Sequence, residues 1–520
     1  MAFLDDLPAE LVENIVHCMT LHEICALRLA NRSIASKASQ DHFRSFYRSK
    51  RVDIDERGLK DFVVVTANAG MGCLIDDFTL TGLVYNSLSI SSQLRSGNMR
   101  QTTEVSDGGH IKTGWRSSTE EERNALQRQL NTLQRRQEAQ LHFLQSEDAQ
   151  RLLVKAFRNI VKGRSPHKQL SVTLDLAVFR EDALIRSTPV QGGSWRMIWQ
   201  AAADTFQLVD DAIDASTLPI HTLRIFPAYG NNAQRRCALF CTEVPHVIKY
   251  SGLETCLARL KTLTLTFSDA SIKFDDRDAE LVTLCDKHEL ARQQRGGSTT
   301  HDLNRMMEAQ RSENFTGLVS FVQSCHHLET LDLHRYRLMK GPNSTGNIQG
   351  DKISHLLFQR LTLPHLRDCR LRGFRVGSEN TLMFLQRHRL HKLLLKNFVL
   401  SAGTFRVIFD HCTGDGKDVQ TAQPDLERIE FEDLFQEETF VALTINQTVT
   451  RERLVTYVGP DIEHDSDIGG LRSNNMIQRW RTGTKRPIQY ITHDLTGNAM
   501  LRLGEKKKNM EEFGPPDYTH

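Results

Sequence analysis

One pattern of apolar and polar positions recurs along the chain. Residues 366–371 and 390–395 both fit the frame L-x-x-L-x-L, in which the last two apolar positions flank a position that is expected to be exposed. This alternation predicts a short strand with one buried face. Looser copies of the frame occupy residues 75–80, 220–225, 260–265, 328–333 and 426–431.

The segments between most of these frames have helical spacing, as in residues 381–388 and 404–412. One strand and one helix cannot bury their own apolar faces, so such units must stack into a continuous core. Each strand is reached through a helix, which favours parallel pairing. The repeats resemble an irregular leucine-rich-repeat array, and this resemblance implies an α/β solenoid with a curved, mainly parallel sheet.

We expect three regions in the chain. Residues 1–50 form a small helical module, residues 51–435 form the solenoid, and residues 436–520 form a C-terminal extension that is partly disordered. Breaks in the apolar pattern that are rich in Gly, Ser or charge predict insertions in the solenoid, the first of them mobile. These insertions lie near residues 83–117, 269–312, 339–350 and 412–425.

A long helix is predicted near residues 118–162. It opens with a capping box at residues 118–121 and contains no Pro or Gly before Gly163. Its leucines lack the clean heptads of a partner coiled coil, so we expect the helix to lie along the solenoid. The basic stretch 151–168 fits either a site for acidic membranes or nucleic acid, or a solvated helix end.

Composition narrows the class of protein. Lys and Arg exceed Asp and Glu by only two (66 against 64), so the charge balance does not favour nucleic acid as a partner. Ten cysteines without a C-x-x-C pair are typical of reduced thiols inside the cell. The chain has acids where a signal peptide would carry basic charge, and it lacks the apolar run of about 20 residues that a membrane span needs. We therefore expect a cytoplasmic or nuclear protein, or one found in both places.

The sequence contains no motif that predicts catalysis, a metal or a cofactor. Residues 414–417 lack the upstream Gly and the following Ser or Thr of a phosphate-binding loop, and neither a nucleophile elbow nor H-E-x-x-H occurs. The pair Cys237 and Cys241 and the cluster 325–327 lack a second ligand pair at zinc spacing. We expect a protein that is not an enzyme and needs no cofactor.

The N-terminal fifty residues carry the most specific motif. Residues 7–15 have the spacing L-P-x-E-L-x-x-x-I, and Phe43 closes the segment. This segment resembles an F-box, a helical module that binds the Skp adaptor of cullin–RING ubiquitin ligases. The resemblance implies that the adaptor-binding residues are Leu7, Pro8, Leu11, Ile15 and Leu27. The alternative is a plain capped helical hairpin, which has the same apolar periodicity.

Residues that flank the last two apolar positions of each frame should project from the exposed face of the sheet. A face that mixes Phe and Leu with charges suits recognition of a folded partner, although solvated strand faces are charged as well. The candidate target-binding residues are Arg224, Phe226, Asp332, His334, Arg370, Arg372, Leu394 and Lys396.

Three of these candidates should form a cationic patch. Arg370 and Arg372 lie two residues apart on one predicted strand, and Lys396 should lie near Arg372 on the next. Cations so close together repel one another unless anions compensate. The patch is therefore predicted to receive an acidic or phosphorylated segment. The alternative is a solvated patch that is neutralised from the side of Glu430.

These features together predict a non-catalytic substrate-recognition subunit of a Skp–cullin–F-box ubiquitin ligase. The N-terminal module would dock the adaptor, and the repeat surface would hold a target protein that the sequence does not identify. The alternative is a repeat scaffold that acts through protein–protein interaction without a ligase. An enzyme is a more distant third reading.

Overall fold

In the computed structural model, the residues whose structure is described are 6–67, 72, 74–105, 111–163, 168–179, 186–187, 195–227, 237–240, 257–268, 312–336, 352–413, 425–437, 439–444, 476–479 and 488–494. They form an α/β fold with a mostly parallel, open and curved sheet. The coarse architecture expected from the repeated frame is therefore confirmed.

Residues 6–48 form a small helical module with its own core. Its helices are short, and they bury a cluster separate from the main core, made of Val12, Val16, Ile24, Ile34, Ala38 and Phe43. Thr20 and Glu23 form a reciprocal capping box that starts the second helix. The module consists of α1 (Ala9–Val16), α2 (Leu21–Ala30), α3 (Arg32–Lys37) and α4 (Asp41–Arg48).

Strands and helices alternate after this module. The strands are β1 (Ser49–Asp53), β2 (Asp77–Tyr85), β3 (Asn98–Val105), β4 (Ile111–Ser117), β5 (Ser171–Phe179), β6 (Arg186–Ser187), β7 (Thr222–Ile225), β8 (Leu239–Phe240), β9 (Thr262–Ser268), β10 (Thr330–Tyr336), β11 (Asp368–Arg372), β12 (Arg375–Val376), β13 (Lys392–Leu400), β14 (Arg428–Gln436), β15 (Thr439–Thr444), β16 (Met476–Arg479) and β17 (Gln489–Asp494). The helices are α5 (Glu56–Ala67), α6 (Leu88–Ser96), α7 (Glu120–Gln145), α8 (Glu147–Gly163), α9 (Trp195–Ser216), α10 (Ser312–Gln323), α11 (Lys352–Arg360), α12 (Ser378–Arg387) and α13 (Arg406–Thr413).

The main sheet has the strand order β1-β2-β5-β7-β9-β10-β11-β13-β14, and each neighbouring pair in this order is parallel. The frames at 328–333, 366–371, 390–395 and 426–431 lie in or lead into four consecutive strands of this one sheet, as predicted. Beyond β14 the pairing becomes antiparallel, through β15 and β17, with β16 also pairing with β14. The region 436–520 thus contributes strands to the sheet, and the rest of that region lies outside the described residues.

The apolar frame positions form the core between the sheet and its helices. Leu331, Cys369 and Leu393 are neighbours in register on β10, β11 and β13, and all three are buried. Phe358 of α11 contacts the rings of both Phe374 and Phe398, with centroids 5.7 and 5.9 Å apart. Each fully buried side chain of this kind stabilises the fold by about 1.5–3 kcal/mol, so the frame positions and the phenylalanines that pack on them contribute substantially to stability.

The predicted helix near 118–162 is in fact two helices that meet at Ser146. Ser146 has an extended backbone (ψ 150°) and its N–H donates to the carbonyl of His142, so α7 ends there and α8 begins at Glu147. The first half of α7 packs Leu126 and Leu133 with Tyr85 and Phe179, whereas α8 buries Phe157 in the main core. The prediction of one helix was wrong because the break lets each helix bury its own apolar stripe.

In the region near 83–117, which was predicted to be a mobile insertion, the described residues form regular secondary structure. The region contains the end of β2, then α6, and then β3 and β4, which form an antiparallel hairpin. A polar sequence can form a hairpin because backbone hydrogen bonds hold the two strands together. Three other predicted insertions, near 269–312, 339–350 and 412–425, lie mostly outside the described residues.

Candidate interaction surfaces

Helix α1 carries an exposed apolar ridge made of Pro8, Leu11 and Ile15. Leu11 is 48% exposed and Ile15 is 41% exposed, although Val12 and Val16 on the adjacent face of the helix are fully buried. Leu11 and Ile15 are four residues apart, so they are neighbours on one helix face. The ridge therefore combines apolar surface with a fixed helical geometry.

Hydrogen bonds to the rest of the module hold this ridge in place. The Nζ of Lys37 donates to the carbonyl of Leu7 at 2.7 Å, and the backbone N–H of His42 donates to Oε1 of Glu13 at 2.7 Å. These bonds tie both ends of α1 to α3 and α4. The ridge is consequently positioned by contacts that do not involve the exposed side chains themselves.

The five predicted adaptor-binding residues divide into two groups. Pro8, Leu11 and Ile15 are exposed, whereas Leu7 and Leu27 are half-buried and pack against the module core. Leu29 of α2 is 88% exposed and was not among the predicted residues. The sequence could have indicated this exposure, because Leu29 is not at helical spacing from Ile24, the residue that α2 buries in the module core.

The second surface, here termed the polar face, is the side of the sheet opposite the core. Register aligns one row of frame positions across it, and this row consists of Arg224, Thr264, Asp332, Arg370, Leu394 and Glu430. Two residues further along the strands, a second row consists of Thr266, His334, Arg372, Lys396 and Glu432. The structure thus brings together six of the eight predicted target-binding residues on one continuous part of the sheet, from β10 to β13.

Two predicted target-binding residues are not exposed. Phe226 is only 4% exposed and belongs to the main core, because its left-handed backbone (φ 49°) ends the alternation of β7. His334 is 1% exposed. Its burial, together with the nearby charges of Arg372 and Lys396, lowers its pKa well below the usual value, so the ring is neutral. Neither residue offers a contact surface in this state.

The predicted cationic patch is largely neutralised. Arg372 forms an ion pair with Asp332 at 2.9 Å, and Lys396 forms one with Glu432 at 3.1 Å. Both partners of the Arg372 pair are less than one-sixth exposed, which makes this pair far less screened than a surface salt bridge. The compensating carboxylates come from both sides of the patch, not from the side of Glu430 alone. Glu430 itself pairs with Arg428.

Arg370 differs from the other two cations. Its side chain is exposed, and it makes no hydrogen bond or ion pair with the described part of the chain. Leu394, its register neighbour on β13, is partly exposed. A guanidinium and an apolar side chain therefore lie side by side in the middle of the polar face.

The described cations of the basic stretch 151–168 lie on α8 and at residue 168. Arg151 pairs with Asp148 at 2.5 Å, Arg158 donates to the carbonyl of Ala215 at 3.1 Å, and Lys168 pairs with Asp76 at 2.6 Å. Lys155 and Lys162 are exposed and have no partner among the described residues. Most of this cationic charge is thus used within the fold, which favours the interpretation as a solvated helix face.

One buried carboxyl group stands apart from both surfaces. Asp210 of α9 is 5% exposed and borders a small cavity of about 10 Å³, otherwise lined by apolar residues such as Leu174, Phe206 and Phe321. Burial, with a smaller contribution from the nearby charges of Asp211 and Asp214, raises the pKa of Asp210 to about 8. A cavity of this size has room for about one water molecule.

The described segments contain neither a cluster of metal ligands nor a membrane-spanning helix. No three His, Cys, Asp or Glu side chains there come together as a metal site requires. None of the helices in those segments combines the length and apolarity that crossing a membrane would need. No family model matches the chain. A search of the curated proteins likewise finds no matching relative, so function must be inferred from the chain's own surfaces.

Proposed function

We propose that this chain is a non-catalytic substrate-recognition subunit of a Skp–cullin–F-box ubiquitin ligase. In this proposal the N-terminal module docks the Skp adaptor, and through it a cullin–RING ligase. The sheet, as part of an array similar to leucine-rich repeats, holds the target protein on its polar face. The chain carries out no reaction itself, and it acts in the cytoplasm, the nucleus or both.

The exposure of Leu11 and Ile15 carries this proposal. These are the apolar positions of the motif at residues 7–15, and the module packs its core without them. A partner that covered both side chains would remove them from water, a favourable term of about 1.5–3 kcal/mol for each. An apolar ridge on a small, separately packed helical module is what adaptor docking requires.

A specific observation favours a scaffold as the second candidate. Helix α4 ends at Arg48 and runs directly into β1, the first strand of the sheet, and the N–H of Asp76 donates to the carbonyl of Arg48 at 2.8 Å. A helical module in this position suits a cap at the end of a repeat array, which needs its terminal unit covered. The two candidates differ in whether the module binds an adaptor.

Capture of a purified Skp adaptor by the purified full-length chain distinguishes these two functions. We expect the wild-type chain to bind and Leu11→Asp and Ile15→Asp each to fail, because each places an unpaired charge in a desolvated contact. Leu141→Asp is the matched control, since Leu141 of α7 is also 48% exposed but lies outside the ridge. Undiminished capture by both ridge variants, or no capture by the wild-type chain, would favour the scaffold.

A further inference from the structure

The polar face holds many of its charges in internal pairs. Asp332 is bound by Arg372 of the next strand, Asp368 is bound by Lys392 at 2.8 Å, and Glu430 is bound by Arg428. Asp332 and Asp368 adjoin Arg370, and Glu430 lies beyond Leu394 on the next strand, yet none of these carboxylates pairs with Arg370. Arg370 is thus an exposed cation in a setting where neighbouring charges are already compensated.

Leu394 makes the position next to Arg370 chemically distinct. It is the register neighbour of Arg370 and also of Glu430, so it lies between a cation and a paired anion. Neighbouring strands are about 4.8 Å apart, which places the guanidinium-bearing residue and the leucine directly beside each other. An uncompensated cation next to apolar surface is complementary to an anion next to an apolar side chain.

We propose that Arg370 and Leu394 together anchor an acidic–apolar segment of the target protein, with one carboxylate on Arg370 and one aliphatic or aromatic side chain on Leu394. This inference rests on the proposed function, because it assigns the target's chemistry at the polar face. A carboxylate matches one guanidinium in charge and geometry. A phosphate dianion needs more than one cation, and the adjacent Arg372 and Lys396 are already engaged with carboxylates.

The paired charges around Arg370 also disfavour a polyanion as the partner. Lys392, Arg428 and Lys396 are already paired with Asp368, Glu430 and Glu432, so successive phosphates of a nucleic acid would have to compete with these carboxylates for the cations. A protein segment can place a single carboxylate where it is compensated and leave its neighbours uncharged. The strand spacing further requires the acid and the apolar side chain to lie about 5 Å apart, a separation that residues four apart on a helix provide.

Synthetic helical peptides provide the probe. We would measure binding of the full-length chain, by fluorescence anisotropy, to labelled 15-residue Ala- and Gln-based peptides that carry Glu and Leu four residues apart. The comparison peptides replace Glu by Gln, replace Leu by Ser, or replace Glu by phosphoserine. We expect the Glu–Leu peptide to bind about tenfold more tightly than the Gln–Leu and Glu–Ser peptides, because each loses one of the two contacts.

Protein variants test the same assignment from the other side. Arg370→Gln and Leu394→Ser should each weaken binding of the Glu–Leu peptide by about tenfold. The Arg370→Gln variant should no longer distinguish the Glu–Leu from the Gln–Leu peptide, and the Leu394→Ser variant should no longer distinguish it from the Glu–Ser peptide. Lys392→Gln is the matched control, because Lys392 is an exposed cation on the strand of Leu394 whose charge is already paired with Asp368. It should change binding by less than about twofold. Circular dichroism would verify that each variant is folded.

Three results would overturn the inference: no binding of the Glu–Leu peptide, equal binding by the Arg370→Gln variant, or tighter binding of the phosphoserine peptide. Capture of the Skp adaptor by the same preparations separates this inference from the proposed function. Adaptor capture without peptide binding would reject the Arg370–Leu394 anchor and leave the ligase proposal intact. Peptide binding without adaptor capture would support the anchor on a scaffold.

Discussion

The apolar ridge on α1 and the polar face of the sheet differ in which side chains the fold leaves in contact with solvent. On α1, Leu11 and Ile15 remain exposed beside the fully buried Val12 and Val16. On the polar face, Arg372 is held by Asp332 of the neighbouring strand, and Arg370 remains exposed. Changing a residue that is engaged within the fold should therefore affect stability, whereas changing an exposed, unengaged residue should affect binding.

The largest expected change in the free energy of unfolding comes from ionisation of the buried Asp210 carboxyl. It tests whether a buried charge in this fold must be compensated. Its folded pKa of about 8 lies above the ordinary value of 3.8. An acid with a raised folded pKa stabilises the fold fully below about pH 4 and loses that contribution as the pH rises through about 8, because the unfolded chain ionises first. The loss is on the order of 5 kcal/mol.

Urea unfolding of the wild-type chain and of Asp210→Asn at pH 5 and pH 9 measures this effect. We expect the free energy of unfolding of the wild-type chain, relative to that of the variant, to fall by several kcal/mol between the two pH values. The variant serves as the reference because it shares every other titrating group. A difference that did not change with pH would show that this carboxyl is compensated after all.

The contrast between paired and unpaired charges on the polar face is tested by Asp332→Ala and Arg370→Ala. Removing Asp332 takes away the carboxylate that compensates the mostly buried Arg372, and we expect a loss of about 3 kcal/mol in the free energy of unfolding. Arg370→Ala should change it by less than about 0.5 kcal/mol, since Arg370 is exposed. Chemical denaturation of both variants provides the measurement. Equal losses in the free energy of unfolding of the two variants would contradict the distinction between paired and unpaired charges.

On the ridge, changing an exposed residue should weaken adaptor binding, and changing a buried neighbour should lower stability. Leu11→Asp is expected to weaken adaptor binding by about 2–3 kcal/mol, on the order of a hundredfold, while the free energy of unfolding changes by less than about 0.5 kcal/mol. Val12→Ala, one residue away but fully buried, should lower the stability of the module instead. Calorimetric titration with the adaptor and thermal unfolding of both variants compare these outcomes. A large loss of stability in Leu11→Asp would contradict the assignment.

The smallest expected loss of stability is in α2 of the helical module that positions the ridge. Thr20→Ala removes the capping box of α2, in which the backbone N–H of Thr20 donates to Glu23 and lowers the pKa of that carboxyl. We expect a loss of about 1 kcal/mol in local stability. Faster amide hydrogen exchange in α2 would report it. Thr132→Ala is the control, because Thr132 lies inside α7 and caps nothing.

The parallel sheet was predictable because its signal is local and repeated. The apolar positions of the frame at 366–371 recur at 390–395 with the same alternation, and the intervening helical segment leaves parallel pairing as the natural connection. The motif at residues 7–15 was equally local. Helical spacing alone does not decide which apolar stripe of α1 is exposed: the resemblance implied that Leu11 and Ile15 face a partner, and the structure buries Val12 and Val16 instead.

The charge state of the polar face could not be read in the same way. Three cations at Arg370, Arg372 and Lys396 were visible in the sequence, but their partners Asp332 and Glu432 lie on neighbouring strands up to 40 residues away along the chain. Whether a cation is compensated depends on which strands become neighbours and in what register, and Arg370 emerged as the exception only from that register. The hairpin of β3 and β4 was missed for a related reason, because pairing of two polar strands leaves little apolar pattern.

The α/β class and the run of parallel strands could be predicted from the sequence, because both depend on side-chain spacing within a few residues of chain. Only the folded arrangement shows that Ser146 divides the long helix, that Phe226 and His334 are buried, and that Arg370 has no partner in the described part of the chain. These outcomes depend on what packs against a residue from distant parts of the chain. Burial and charge compensation are properties of the assembled neighbourhood, and spacing along the chain does not encode them.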